Sequence, residues 1–222
     1  MSGGEEVLRA LATRPGGPQL LALCEQREDV ALVGGAVRDL LLGRAPRELD
    51  VVAGADAATL ARQLADRLGA RVSTHERFGT ALVEWEAGRI DLATRRAESY
   101  AAPGALPEVR PGSVQEDLAR RDFTVNAIAV ALGGGQRGTL DSAEHALDDL
   151  ASGRLRVLHE RSFIDDPTRL WRLARYRARL RFQAEARTAQ LAGAAVAAGA
   201  LATVSGARVG AELRLALGEA DA

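Results

Sequence analysis

Leu32-Val33-Gly34-Gly35-Ala36-Val37-Arg38-Asp39, followed shortly by Glu48-Leu49-Asp50, is the stretch whose reading decides the fold. The apolar run Val30–Val33 is short and β-branched at its ends, which predicts a strand. After the Gly34-Gly35 break, Ala36–Leu42 is rich in leucine and alanine and is closed by Gly43, which predicts a helix. A strand, a glycine pair and a helix start bring backbone N–H groups and the positive helix end to one spot, a setting suited to phosphate oxygens. Arg38, one turn into the helix, could reach the same anion. An ordinary tight strand-to-helix turn needs the same glycines, so the turn alone defines no ligand. The next predicted strand, Glu48–Ala53, opens with two carboxylates at i and i+2, which face one side of a strand. Paired carboxylates are what hard Mg²⁺ ions take. Such a pair is also unremarkable at a solvated strand entry, and it is the position beside the glycine turn that favours chemistry. Asp91, at the start of a further predicted strand, is a weaker third carboxylate.

Outward from this unit, residues 5–28 read as one or two helices interrupted by Pro15-Gly16-Gly17-Pro18. Asp56–Leu68 is an amphipathic helix stopped by Gly69. Ala70–Ser73, Gly79–Glu86 and Arg89–Thr94 are further strands, the last two joined by a hairpin turn at 86–89. Residues 99–114 are turn-rich and predict a loop over the sheet. From Asp141 the pattern is helical: Asp141 and Glu144 have capping-box spacing, with Gly153 as a stop. Asp166–Leu180 is a second helix with Pro167 in its first turn. After Glu185 follow alanine-rich helices broken near Gly199-Ala200 and Ser205-Gly206. The fold class expected is α/β followed by α: a head with a mixed β-sheet over residues 1–153, of which 1–28 is a helical N-terminal extension, and an all-helical part over 154–222.

The 222 residues carry 29 basic side chains and a net charge of −1, and every basic side chain is arginine. Without lysine there is no Schiff-base chemistry and no P-loop lysine. One cysteine, Cys24, excludes an intramolecular disulfide framework and a multi-cysteine zinc site. His75, His145 and His159 are too scattered to build a histidine metal centre. No apolar run is long enough to cross a membrane and the first residues carry no signal-peptide pattern, so a soluble, cytoplasmic protein is expected.

Two further stretches concentrate polar chemistry. Glu116-Asp117-Leu118-Ala119-Arg120-Arg121-Asp122-Phe123-Thr124-Val125-Asn126-Ala127 offers donors for phosphate and acceptors for ribose hydroxyls, although a charged helix end would explain it nearly as well. Asp165-Asp166-Pro167-Thr168-Arg169-Leu170-Trp171-Arg172-Leu173-Ala174-Arg175 places Arg169, Arg172 and Arg175 on one helix face, with Asp166 at its N-terminal edge. An arginine and an aspartate on a rigid helix can hydrogen-bond a base edge, and further arginines can hold phosphates. Charge runs are usually solvated faces. Here Arg169–Arg187 contains seven arginines and one glutamate, which favours an anionic ligand.

Taken in order, these segments resemble the class II tRNA nucleotidyltransferase (CCA-adding enzyme)/poly(A) polymerase family, over about Val30 to Phe182. The matching stretches are LVGGAVRDLLLG, RELDVV, RFGTALVEW, the run from DLATR to ALPEV, EDLARRDFTVNAIA and SFIDDPTRLWRLARYRARLRF. The resemblance implies a nucleotidyltransferase head followed by a helical neck, adding C and/or A from CTP or ATP to tRNA 3′ ends and releasing pyrophosphate. It implies that Gly34, Gly35 and Arg38 cradle the triphosphate and that Glu48 and Asp50 bind Mg²⁺ as the catalytic carboxylates. Arg121 and Asp122 would belong to the ribose-recognising motif. Asp166 and Arg169 would read the base, with Arg172 and Arg175 supporting nucleotide binding.

Two departures qualify this. Glu48 stands where the family usually has aspartate, which predicts weakened rather than abolished metal binding. The sequence also stops where full members continue into RNA-holding helical domains. It is therefore expected to be a fragment, to work with a partner chain, or to accept RNA through a reduced surface. The alternatives to a tRNA-extending enzyme are a poly(A) polymerase-like enzyme and a nucleotide- or RNA-binding module with weakened catalysis.

Overall fold

A computed structural model describes residues 3–75 and 79–219. Arg77 and Phe78, which open the RFGTALVEW stretch, lie outside the described residues. In chain order the elements are α1 (Gly3–Leu11), α2 (Gly17–Cys24), β1 (Val30–Val33), α3 (Gly35–Leu41), β2 (Leu49–Ala53), α4 (Ala57–Leu68), β3 (Arg71–His75), β4 (Thr80–Trp85) and β5 (Gly88–Thr94). They continue with β6 (Arg96–Ser99), β7 (Glu108–Pro111), α5 (Val114–Ala119), β8 (Ile128–Ala131), β9 (Leu140–Ser142), α6 (Ala146–Ser152) and β10 (Arg154–Leu155). The last are α7 (Ser162–Asp165), α8 (Arg169–Leu180), β11 (Gln183–Ala184), α9 (Ala186–Ala197) and α10 (Gly206–Leu217). The α/β part with a mixed sheet and the helical part after it are as the sequence predicts.

Two compact units divide the chain, and neither is contiguous. The first holds Met1–Arg96, Pro111–Leu118 and Asn126–Ser142; the second holds Ala97–Arg110, Ala119–Val125 and Ala143–Ala222.

The first unit is built on a seven-stranded sheet in the order β3-β4-β5-β2-β1-β8-β9. The β2–β5 pair is parallel, and its neighbours β1–β2, β1–β8, β3–β4, β4–β5 and β8–β9 are antiparallel. The strands close to the centre bury Leu32, Val33, Val51, Leu92 and Ile128. Against the sheet, α4 buries Leu60 and Leu64 completely, each worth about 1.5–3 kcal/mol of apolar burial. The α4 ends follow from local chemistry. The Asp56 side chain accepts from the Thr59 backbone N–H at 3.0 Å, and Gly69 takes a left-handed conformation at φ +61°, which glycine adopts without a Cβ penalty.

Strand β8 lies between β1 and the edge strand β9, but the sequence was read there only for its polar residues and no strand was expected. The capping box also sits elsewhere than predicted. Asp141 belongs to β9, and α6 starts at Ala146 behind His145 at φ +65°. The reciprocal pair forms instead at α5, where the Ser113 N–H donates to Glu116 Oε2 at 2.9 Å and the Glu116 N–H donates to Ser113 Oγ at 3.2 Å.

Strand β7 falls within residues 99–114, which were expected to form a loop, and pairs with β6 as a two-stranded ribbon. The helical part follows, with β10 and β11 forming a short parallel pair. Helix α8 begins at Arg169, not at Asp166. Asp166 is extended at φ −132° because the residue before a proline is driven out of the α region, so it lies in the turn between α7 and α8.

Candidate active site

The first unit carries the glycine turn and the carboxylates. Gly34 leaves β1 at φ +69°, ψ −134°, a conformation strained for any side chain bearing a Cβ. Its N–H donates to the Ile128 carbonyl at 2.9 Å, tying the turn to β8. Helix α3 starts directly behind it at Gly35, so the first backbone N–H groups of the helix stand at the turn. Arg38 is 1% exposed. Its guanidinium donates to Asp39 Oδ1 through Nε at 2.8 Å and to Asn126 Oδ1 through Nη1. The side chain thus braces the underside of the turn from within the unit. Asn126, which the sequence reading did not single out, is the acceptor that fixes it.

On β2, Leu49 and Val51 turn into the core, and the alternation leaves Asp50 half-buried on the opposite side. Glu48 precedes it by two residues. In the parallel pairing, Asp50 stands opposite Asp91 on β5, so Asp91, the weak third candidate, is brought beside Asp50. Arg89 joins the group: its Nη2 pairs with Glu48 Oε2, and its Nε lies 3.5 Å from Asp91 Oδ2. Burial pushes the Asp91 carboxyl above the usual range, against the pull of Arg89 and with the help of Glu84. Among the described residues no group of three or more His, Cys, Asp or Glu side chains could hold a metal ion by itself. Mg²⁺ does not need one, because it commonly takes one or two carboxylates and completes its shell with water and substrate phosphates. Glu48 and Asp50 fit that pattern.

The second unit carries the remaining candidates. Asp122 is 6% exposed; one oxygen accepts from the Phe123 N–H at 2.8 Å and the other lies 3.5 Å from Arg172 Nη1. Arg121, beside it, is half-buried. Asp166 Oδ1 accepts from the Thr168 N–H at 3.0 Å, the Thr168 hydroxyl at 2.6 Å and Arg208 Nη2 at 2.8 Å. Arg169 is 3% exposed; it donates to Ser162 Oγ at 2.6 Å and to the Arg120 carbonyl at 2.9 Å.

Arg172 and Arg175 have counter-charges that the sequence did not suggest. Glu212 of α10 accepts from Arg172 Nε at 2.7 Å and from Arg175 Nη2 at 3.4 Å, and Glu219 lies 3.6 Å from Arg175 Nη1. Arg172 and Arg175 are therefore compensated, and the charge excess of the stripe is a weaker argument for an anionic ligand than the sequence suggests. In this unit Arg208 and Glu212 are residues around the candidate site that sequence reasoning missed. Their signal is a charged i, i+4 pair on an otherwise alanine- and leucine-rich helix.

The mixed sheet, the glycine turn and the strand-borne carboxylates define the head of a nucleotidyltransferase. The chain belongs to the Poly A polymerase head domain family, whose profile matches residues 30–156. It is 45% identical over 198 residues to an A-adding tRNA nucleotidyltransferase of Halalkalibacterium halodurans, covering 88% of this chain and 46% of that one. It is 42% identical over 153 residues to a CC-adding tRNA nucleotidyltransferase of Deinococcus radiodurans, covering 68% and 41%. Among solved structures, a CCA-adding enzyme in apo form II superposes with a TM-score of 0.84 at 36% identity, covering 97% of this chain and 53% of that one. A tRNA nucleotidyltransferase complexed with a primer tRNA and an incoming ATP analog gives 0.76 at 37% identity, covering 87% and 54%. The chain spans less than half the length of these curated relatives.

Proposed function

We propose that this chain carries the catalytic head and the adjoining helices of a template-independent RNA 3′-terminal nucleotidyltransferase, which adds C and/or A from CTP or ATP to tRNA ends. The observation that carries the reading is the pairing of Gly34–Gly35 at the start of α3 with Asp50 on the adjacent strand β2 and Glu48 just before it. Gly34 and Gly35 let the backbone approach the triphosphate, and Arg38 keeps their turn in shape from below. The RNA 3′-hydroxyl attacks the α-phosphate in line and pyrophosphate leaves. Mg²⁺, held by Glu48 and Asp50, supplies charge neutralisation on the phosphates and a more acidic hydroxyl.

Base reading falls to Asp166 and Arg169. Cytosine N4 and adenine N6 are both exocyclic amino donors, and the Asp166 carboxylate is an acceptor whose Oδ1 is already fixed by Thr168 and Arg208. One acceptor thereby suits both bases. Arg121 and Asp122 serve the ribose, and Arg172 and Arg175, clamped by Glu212, support the helix that presents Arg169. The high identity to A-adding relatives supports ATP as a substrate. Cytoplasmic tRNA is the corresponding RNA, and RNA-holding surface supplied by further helical sequence or a partner chain belongs to this reading.

The test is incorporation of labelled CTP or ATP, alone and together, into tRNA lacking part of its 3′ end, with Mg²⁺ present. Extension is expected. Retained nucleotide binding without extension would favour the second reading, a nucleotide-binding module. That reading is motivated by Glu48, which is longer than the family's usual aspartate and is engaged by Arg89.

A further inference from the structure

Arg169 is held by three groups. Ser162 Oγ and His159 Nε2, at 2.6 and 3.4 Å, come from the segment just before its own helix. The third, the Arg120 carbonyl at 2.9 Å, comes from 49 residues away. That carbonyl is fixed in turn. The Arg120 side chain donates through Nη1 to Glu98 Oε1 at 3.0 Å, and the Glu98 side chain is 7% exposed. The other Glu98 oxygen accepts from the Tyr100 hydroxyl at 3.1 Å. A guanidinium that reads a planar base edge must be held within roughly 10–20° of its working orientation. The contact that ties Arg169 to a different segment is therefore the one that sets that angle.

We infer that Glu98 and Tyr100 are positioning residues for the base-reading Arg169, acting through the Arg120 backbone carbonyl. The inference rests on the proposed base-reading role of Arg169. Both oxygens of Glu98 are engaged, one on Arg120 and one on Tyr100, so the carboxylate cannot swing away without breaking a second contact. Burial and the Glu98 charge push the Tyr100 phenol up to about 12. The hydroxyl therefore stays protonated and keeps donating throughout the neutral range. The hydrogen bonds of Asp166 run to Thr168 and Arg208 and not to Glu98 or Tyr100. Loss of Glu98 should accordingly change how well bases are told apart more than how well phosphates are held.

The experiment measures the dissociation constants of ATP and GTP by calorimetry on the full chain. The variants are Glu98→Gln, Tyr100→Phe, Arg169→Ala and the double variant Glu98→Gln/Arg169→Ala, with thermal unfolding recorded for each. Glu98→Gln preserves side-chain size and should reduce the ATP-over-GTP preference about tenfold, roughly the scale at which modest misplacement of a binding group is felt. Tyr100→Phe removes only a hydroxyl and should reduce it about two- to threefold. In the Arg169→Ala background, Glu98→Gln should have no further effect on the preference. An unchanged preference in both single variants, or an equal additional loss in the double variant, would overturn the role of Glu98 and Tyr100. An Arg169→Ala protein that still prefers ATP as the wild type does would instead overturn the base-reading role of Arg169. So would a wild type that binds both nucleotides equally.

Discussion

Arg172 and Glu212 are 40 positions apart and meet at 2.7 Å. The Glu212 side chain is 8% exposed, and its second oxygen takes Arg175. One carboxylate thus closes two arginines of α8 onto α10. Removing one partner of a buried ion pair costs about 3–5 kcal/mol. Arg172 is 38% exposed and is also within 3.5 Å of Asp122, so Glu212→Ala should cost less, about 2 kcal/mol. Denaturant unfolding of the variant against wild type measures this, and a loss below about 0.5 kcal/mol would show the pair to be energetically idle.

Gly34 and Gly35 should respond differently to alanine. At φ +69° Gly34 lies where a Cβ is strained, and such outliers cost on the order of 1–3 kcal/mol. A Cβ on Gly35 would meet nothing nearer than Arg38 Nη2 at 3.4 Å, an ordinary contact. Gly34→Ala is expected to lower stability by about 1–2 kcal/mol and Gly35→Ala by much less. Equal losses in chemical denaturation would contradict the turn geometry.

Glu48→Asp should raise turnover. One methylene displaces a carboxylate by about 1 Å, a misplacement that can cost on the order of a hundredfold in rate. The shorter side chain also reaches less far toward Arg89. An unchanged or lower rate in single-nucleotide incorporation would count against Glu48 as a metal ligand.

Asp91 gives a pH signature. Its folded-state carboxyl is raised by burial, so the native state holds the proton more tightly than the unfolded chain does. The carboxyl therefore weakens the fold as pH rises from about 4, the unfolded value, through its higher folded value. Asp91→Asn should stabilise the metal-free protein at pH 7, with the gain vanishing at or below about pH 4. Thermal unfolding across pH reads the difference, and a gain that persists in acid would refute the assignment.

The segment from Val30 to Leu68 was legible because its signals are local: β-branched ends on β1, glycines where the backbone must turn, and a polar cap before α4. The strand that carries Asp50 was readable for the same reason, although it begins at Leu49, one residue after Glu48. Asp91 was undervalued because its position beside Asp50 depends on parallel pairing of strands that are not consecutive, which no local pattern encodes. The charge balance of the arginine stripe was misjudged on the same ground, since Glu212 arrives on α10 and Glu219 just after it, beyond two intervening breaks. Asp166 is the instructive case. Pro167 was placed in a first helical turn, yet its effect on the preceding residue keeps Asp166 out of the helix, and that position is what lets Thr168 and Arg208 converge on one oxygen.

The chain passes from one compact unit to the other after Arg96, Arg110, Leu118, Val125 and Ser142. Neither unit can therefore be excised as one uninterrupted stretch, and a cut near Gly153 would strip the helical portion of Glu98, Arg120 and Asp122 together. Such interleaving resists modular exchange: a recombination event at any single point yields two incomplete halves. The candidate base-reading residues and the candidate phosphate-handling residues are thereby inherited as one block.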